Sequence, residues 1–311
     1  MSASSSPVLA LVLALAAASP DPRRELDAAC MGCHVDATAQ WLASPHATSF
    51  VDGPFQSAHR REPQAFCRAC HAPEQDPAIV EATTAAGFGI SCVTCHVDDD
   101  TVAASTSASH PALRAAIDCD GCHEFDFPDA ALREHPLQMQ RTVSEHDVSP
   151  FAATPCAGCH MPQDDHRMRA ETLLESAIDV RVARTNDGVR LELRVLAAGH
   201  AVPTGDLFRR LEVGAMIVDP RAPQGPALRY LSRRFDDGVQ SNAIAVLMET
   251  ADDRVPADGT ARIVELALPD ADARPIVWWV EHQRVAFPRG GEALDGRTPM
   301  AGGLLIAGDE S

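Results

Sequence analysis

The cysteines constrain this chain more than any other feature. All ten occur in five copies of one pentapeptide, Cys-x-x-Cys-His, so none is left for a disulfide, a thiol nucleophile or a separate metal site. The copies fall between residues 30 and 160 of a chain of 311 residues. They are Cys30, Cys33 and His34; Cys67, Cys70 and His71; Cys92, Cys95 and His96; Cys119, Cys122 and His123; and Cys156, Cys159 and His160.

This spacing predicts covalent attachment of haem. The two cysteines add to the vinyl groups of a haem as thioethers, and the next residue, histidine, is placed to ligate the iron. The alternative is a zinc ribbon, in which Cys-x-x-Cys pairs meet in twos around a tetrahedral metal. An odd number of pairs, each followed by histidine, argues against zinc. We therefore expect five c-type haems, with the motif histidines as proximal iron ligands.

The sixth ligand of each iron separates carriers from catalysts, because a carrier saturates the iron and an enzyme leaves a position open. Eight histidines lie outside the motifs, enough to saturate five irons. The histidine of the loop from Ala198 to Gly205 is framed by glycine and proline, which shape a loop that presents a side chain. The leading candidates for distal ligands are His46, His110, His166 and His200. His59, His135, His146 and Met139 compete for the remaining place, and His282 is expected to pack in a strand.

The pattern of residues changes near residue 170. Before it, polar segments rich in Ala, Pro and Asp show no sustained period. Short helices packed around haem, which supplies most of the apolar core, are expected there. After it, apolar residues alternate from 178 to 195 on both sides of a turn at Thr185 to Gly188, which predicts a β-hairpin.

Four further apolar runs, separated by turns that contain Gly or Pro, suit an antiparallel sandwich. They lie at 211–218, 243–248, 263–268 and 276–280. The predicted fold class is α+β, with a pentahaem domain at residues 20–170 and an immunoglobulin-like β-sandwich at residues 171–311.

The first 19 residues resemble a secretory signal peptide, although no positive charge precedes their apolar stretch. That stretch, Val8 to Ala17, is short for a membrane span. The alternative is an ordinary buried helix. Haem attachment to these motifs takes place outside the bacterial cytoplasm, so a periplasmic or cell-surface location is expected.

The charge of the chain indicates which partners it suits. Its net charge is −18, and all 26 basic residues are arginine. An acidic protein repels nucleic acid, and haem propionates would add negative charge. We expect redox partner proteins with a basic docking surface and no nucleic acid.

Several of these motifs, with the residues around them, resemble a superfamily of multihaem cytochromes. It includes the tetrahaem acceptor of hydroxylamine oxidoreductase, that oxidoreductase itself, pentahaem nitrite reductase and octahaem tetrathionate reductase. The similarity covers roughly residues 26 to 168, and the loop Gly-His-x-x-Pro-Thr-Gly is similar to β-domains appended to bacterial multihaem cytochromes. The residues concerned are Cys-Met-Gly-Cys-His with Trp41, Ser44, His46 and Ala47, Phe66-Cys-Arg-Ala-Cys-His, Gly89-Ile-Ser-Cys-Val-Thr-Cys-His, and Cys-Ala-Gly-Cys-His160-Met161-Pro162.

The resemblance implies haems packed edge to edge in parallel and perpendicular pairs, with His46 as a distal ligand. It also raises the question of enzyme activity. Nitrite and tetrathionate reductases of this group use a proximal lysine at the catalytic haem, and this chain has no lysine. Hydroxylamine oxidoreductase crosslinks its active haem to a tyrosine, and the one tyrosine here is Tyr230, in the predicted β-domain.

The leading hypothesis is thus a non-enzymatic electron carrier whose irons keep their ligands when they change valence. A second hypothesis is an enzyme that acts on a small nitrogen or sulfur oxyanion at one open haem lined by His and Arg. A third is a subunit of a larger membrane or surface redox complex, in which a spare histidine ligates a neighbour's haem.

Overall fold

The structure is a computed structural model that describes part of the chain. The described residues are 22–61, 63–74, 89–98, 119–127, 134, 136–168, 173–219, 221, 225–240, 245–269, 271, 274–287 and 290–306. The predicted signal peptide, residues 1–19, lies outside them. Two regions are distinguished here: an N-terminal region, 22–168, and a β region, 173–306.

The N-terminal region consists mainly of short helices joined by turns, as the absence of a sustained period predicts. The Cys-x-x-Cys-His motifs each occupy or border one helical turn, because cysteines three residues apart lie on one face of a helix. The helices are α1 (Pro22–Cys33), α2 (Val35–Leu42), α3 (Gly53–Arg61), α4 (Cys67–His71), α5 (Cys92–His96), α6 (Asp120–His123), α7 (Thr142–Asp147) and α8 (Cys156–His160), followed by a 3₁₀ turn, Pro162–Asp164.

A two-stranded antiparallel ladder also lies in this region, which the sequence did not predict. Strand β1 (Glu124–Asp126) pairs with β2 (Gln138–Arg141). The Glu124 carboxylate accepts hydrogen bonds from the backbone amides of Val143 and Ser144 in the first turn of α7, at 3.0 and 3.2 Å. A carboxylate is stabilised there by the free amides and the positive end of the helix dipole. Glu124 therefore ties the ladder to α7.

The β region begins with a short helix, α9 (Leu174–Ala177), and continues as antiparallel strands. The predicted hairpin is present, with Thr185 paired to Gly188 across a two-residue turn, and most of the described residues of the four further apolar runs lie in strands. The strands are β3 (Ile178–Thr185), β4 (Gly188–Val195), β5 (Arg209–Ile217), β6 (Ala227–Leu231), β7 (Arg233–Val239), β8 (Ala245–Asp252), β9 (Arg262–Ala267), β10 (Ile276–Phe287) and β11 (Gly290–Leu305).

Two sheets of this region share one hydrophobic core. One has the strand order β3-β4-β9 and the other β11-β10-β5-β6, while β7 and β8 form a separate pair. Leu191 on β4, Val213 on β5 and Val280 on β10 are fully buried and belong to the same apolar cluster. The fold is therefore a combination of helices and antiparallel sheets, and the larger core belongs to the sheets.

The two regions contact each other through ion pairs as well as apolar side chains. Arg284 on β10 donates two hydrogen bonds to the Asp52 carboxylate, at 2.7 and 2.6 Å. Arg233 on β7, only 3% exposed, donates to the backbone carbonyls of Gln138 and Met139. None of the helices among the described residues is long and apolar enough to cross a membrane.

Candidate functional site

The five motifs are not independent in space, because some of them adjoin. A hydrogen bond between the Cys70 thiol and the Cys122 side chain, and then burial, raise the pKa of Cys70, so the second and fourth motifs are neighbours. Burial, followed by the proximity of Asp27 and Cys30, raises the pKa of Cys92 to about 11, so the first and third motifs are neighbours too. Thioether formation removes these titrations, but the proximity remains.

The backbone between the first and third motifs is held by a buried acid. Asp27 on α1 is 7% exposed, and its carboxylate accepts a hydrogen bond from the backbone amide of Val93, in the first turn of α5, at 2.9 Å. Next to the first motif, an open cavity of about 330 Å³ is lined by Cys33, His34, Val35, Asp36 and Ala37. The side of the first motif that carries its histidine is therefore open rather than covered by other described segments.

Three candidate distal histidines lie opposite a motif histidine at a common distance. Two metal–imidazole bonds of about 2 Å in line, with about 1 Å from nitrogen to ring centre on each side, place ring centroids about 6 Å apart. The residues present therefore fit an iron between the rings of each pair. The centroids lie 6.2 Å apart between His46 and His123, between His166 and His96, and between His200 and His160.

Backbone carbonyls fix the tautomer of two of the candidate distal histidines and of one motif histidine. Nδ1 of His71, His166 and His200 lies 2.8, 2.8 and 3.1 Å from the carbonyl oxygens of Ser49, Asp164 and Ala201 respectively. A carbonyl only accepts, so Nδ1 carries the proton and Nε2 keeps its lone pair. Such a hydrogen bond also orients the ring of a metal ligand. These three histidines are thus prepared to bind metal through Nε2.

The backbone around His46 is fixed by close packing. A Cβ at Gly89 would lie 2.0 Å from the carbonyl oxygen of His46, so a glycine is required there. The Ile90 amide donates to that same carbonyl at 2.9 Å, and the Trp41 indole donates to the Ile90 carbonyl at 2.8 Å. Burial lowers the pKa of His46 to about 4, so the free ring is neutral at pH 7.

The loop that carries His200 is held from both regions of the protein. Glu145 on α7 accepts a hydrogen bond from the Ala201 amide at 3.2 Å and another from the Thr204 hydroxyl at 2.8 Å. Arg254, which pairs with Glu145, donates to the Pro203 carbonyl at 3.1 Å. No motif marked Glu145 or Arg254 in the sequence, because their partners lie up to 109 positions away.

Two of the other candidate ligands are packed against apolar side chains. His59 on α3 stacks on Phe55 at 5.4 Å and meets the edge of Phe50 at 6.3 Å. Met139 on β2 packs against the apolar cluster that contains Leu137. Among the described residues, neither is brought opposite a motif histidine in the way of the three pairs.

The remaining candidates fall into two groups. His146 lies against the backbone of Gly199, where an added Cβ would come within 2.8 Å of its ring. His282 is 7% exposed in β10, as expected for a packed strand residue. His110 and His135 lie outside the described residues.

His71 stands in charged surroundings. Its ring stacks on Phe55 at 3.8 Å. Its pKa is lowered overall, because the effect of burial outweighs the opposing effects of the Ser49 carbonyl and of the carboxylates of Asp206 and Asp52. Arg209 pairs with Asp206 at 3.4 Å, so the carboxylates near His71 are matched by guanidinium groups.

Two comparisons with known proteins found similarities, one in sequence and one in fold. A family model described as "Cytochrome c554 and c-prime" matches residues 29–97, which contain the first three motifs. A solved structure of a penta-heme cytochrome c552 from Thermochromatium tepidum has a similar fold, with a TM-score of 0.61 at 17% identity. The match covers 89% of this chain and 97% of that chain, and no curated protein matches. With its repeated attachment motifs, this chain is a multihaem c-type cytochrome.

Proposed function

We propose that the chain carries five covalently bound haems and transfers electrons between redox partners in the periplasm or at the cell surface. The observation that carries this proposal is the repeated 6.2 Å separation of paired histidine rings. An iron with imidazole on both faces has no vacant position for a substrate. Three irons held in this way suit electron transfer, and the sixth ligands of the first and second motifs decide whether any iron is left open.

The three pairs assign sixth ligands to three of the proposed haems. His46 serves the haem of the fourth motif, His166 that of the third, and His200 that of the fifth. For the first and second motifs the candidates are His59, His110, His135, His146 and Met139. Both His110 and His135 stand in segments outside the described residues.

The haems, when bound, supply one-electron chemistry through their irons. The residues of this chain determine where the haems attach and how their ligands are oriented. The cysteines would anchor each haem and the paired histidines would bind its iron, while carbonyl groups such as that of Ala201, which accepts from His200, hold the rings in one orientation. Because both axial ligands stay in place when the valence changes, little reorganisation accompanies electron transfer.

A second candidate function is reduction or oxidation of a small nitrogen or sulfur oxyanion at one open haem. The surroundings of His71 favour the second motif as the site of such an open haem. Arg284 lies near His71, and Arg209 pairs with Asp206, which also lies near His71. Those guanidinium groups are matched by Asp52 and Asp206, however, so they offer little net positive charge to an oxyanion. We therefore rank electron transfer first.

We further propose two domains, with a boundary near residue 170, and an immunoglobulin-like sandwich after it. The strand order supports this. In sequence order within the sandwich, the first, second and fifth strands form one sheet, and the seventh, sixth, third and fourth form the other, when the β7–β8 pair is set aside. Immunoglobulin-type sandwiches likewise place strands A, B and E opposite C, F and G; the constant type puts the fourth strand, D, beside E, whereas here the fourth strand pairs with the third.

We propose export through the N-terminal segment, because haem attachment to these motifs takes place outside the cytoplasm. The negative charge of −18 favours a basic docking surface on the redox partner. Assembly into a larger membrane or surface redox complex is a further proposal for this protein, and nucleic acid is not proposed as a partner.

Intact mass and coulometry on the exported protein test the proposal together. The mass is expected to exceed that of the polypeptide by five haems, and full reduction is expected to take up five electrons per chain. The double variant Cys92→Ser and Cys95→Ser should lose one haem and one electron. Wild-type protein with four haems, or steady consumption of nitrite or hydroxylamine by the reduced protein, would contradict the proposal.

A further inference from the structure

Glu145 is a buried carboxylate that joins the N-terminal region to the His200 loop, which we define as residues 199–205. It is 9% exposed and lies in the first turn of α7. One of its oxygens accepts from the Ala201 amide and from the Thr204 hydroxyl. The other pairs with Arg254, which is 4% exposed. A buried charge is tolerated only when it is paired and hydrogen-bonded. Both carboxylate oxygens of Glu145 meet that condition.

The contacts of Glu145 with the loop lie directly after the ligand in the chain. Ala201 is the residue directly after His200, and its carbonyl accepts from the His200 ring at 3.1 Å. The Glu145 bond to the Ala201 amide therefore acts on the peptide unit that adjoins His200. Arg254 holds the Pro203 carbonyl in turn, and Asp252 holds Arg254 at 2.8 Å.

Close packing beside Glu145 restricts the start of the same loop. The next residue on α7, His146, lies so near Gly199 that an added Cβ would meet its ring at 2.8 Å and the Cβ of Phe151 at 3.3 Å. The loop thus packs against α7 at Gly199 and is hydrogen-bonded to α7 at Ala201 and Thr204. His200 lies between these points of attachment, opposite His160.

We infer that Glu145 is a positioning residue that holds His200 over the iron of the fifth motif. This inference rests on the proposed ligation by His200. Loss of the carboxylate removes the two hydrogen bonds of Glu145 to the loop and leaves Arg254 without its partner from the other region, while the contact between the hydroxyls of Thr204 and Thr142, at 3.0 Å, remains. The loop then moves away from α7, and His200 dissociates from the iron in a fraction of the molecules.

The test is the spin state of the oxidised holoprotein of Glu145→Ala, measured by electron paramagnetic resonance at full haem content. We expect up to one haem in five to become high-spin, with the other four unchanged. Added imidazole should restore the low-spin signal, because it replaces a ligand that has been displaced. The double variant Glu145→Ala with His200→Ala should show no more high-spin haem than His200→Ala alone.

Glu249→Ala is the matched control, because Glu249 is a carboxylate of the same interface whose ion pairs are with Arg233 and with Arg141, which Glu145 also contacts, rather than with the His200 loop. It should leave all five haems as in the wild type. If holoprotein of Glu145→Ala does not accumulate, Thr204→Val removes one of the two loop bonds and should give a smaller high-spin fraction of the same haem.

The outcomes separate the two claims. If His200→Ala creates a high-spin haem while Glu145→Ala, or Thr204→Val in its place, does not, Glu145 has no positioning role and the ligand assignment stands. If His200→Ala leaves the spectrum unchanged, the ligand assignment fails, and the positioning role fails with it. A high-spin haem in Glu249→Ala equal to that in Glu145→Ala would assign the effect to the interface in general and overturn the specific role.

Discussion

Without haem attachment, the N-terminal region is expected to be cleaved rapidly by protease while the β region survives. Among the described residues before 170, few apolar side chains are buried, and they do not form one continuous cluster. Haem must therefore supply most of the apolar surface that this region buries. The buried apolar residues before 170 are Trp41, Ala47, Phe50, Ala72, Val93, Val97 and Leu137.

Limited proteolysis of protein expressed without the haem-attachment machinery measures this, with holoprotein as the control. The surviving fragment should begin near residue 170, because the β region has a core of its own built around residues such as Leu191 and Val213. A protease-resistant, haem-free N-terminal region would show that its side chains fold without haem. The proposed domain organisation would then be wrong.

Replacement of His200 by alanine is expected to convert one haem in five to a high-spin or water-ligated form. The methyl group of alanine cannot reach the iron that the 6.2 Å pair with His160 would hold. Absorbance and electron paramagnetic resonance spectra of the oxidised protein measure the change, and added imidazole should reverse it.

His282→Asn is the control for this variant, because His282 is another buried histidine of the β region that lies in a strand and is not one of the paired rings. It should keep the wild-type spin states even if it lowers stability. An unchanged spectrum in His200→Ala would remove His200 from the set of ligands and with it the reason for the β region to dock at the fifth motif.

The sequence supports definite predictions of local chemistry, because that chemistry depends on short spacings. Each Cys-x-x-Cys-His motif fixes its own attachment site and proximal ligand within one helical turn. The β-hairpin of residues 178–195 was equally readable, since alternation and a turn signal lie within one short segment. The β1–β2 ladder was missed because its strands are only 3 and 4 residues long, too short for an alternating pattern to be recognised.

Pairing of the distal histidines could not be read from the sequence, because it depends on contacts between distant segments. His46 follows the first motif yet lies opposite His123 of the fourth. His166 follows the fifth motif yet lies opposite His96 of the third. The loop of His200 was conspicuous for its glycines and proline, whereas Glu145, which holds that loop, belongs to no recognisable pattern.

The most direct test of the central claim is electron paramagnetic resonance of the oxidised, haem-quantified protein, recorded with and without nitrite or hydroxylamine. A saturated electron carrier should show only low-spin haem, and the spectrum should not change when either molecule is added. A high-spin haem whose signal shifts with nitrite or hydroxylamine would contradict that claim. It would show an open iron, and the protein would then be an enzyme candidate.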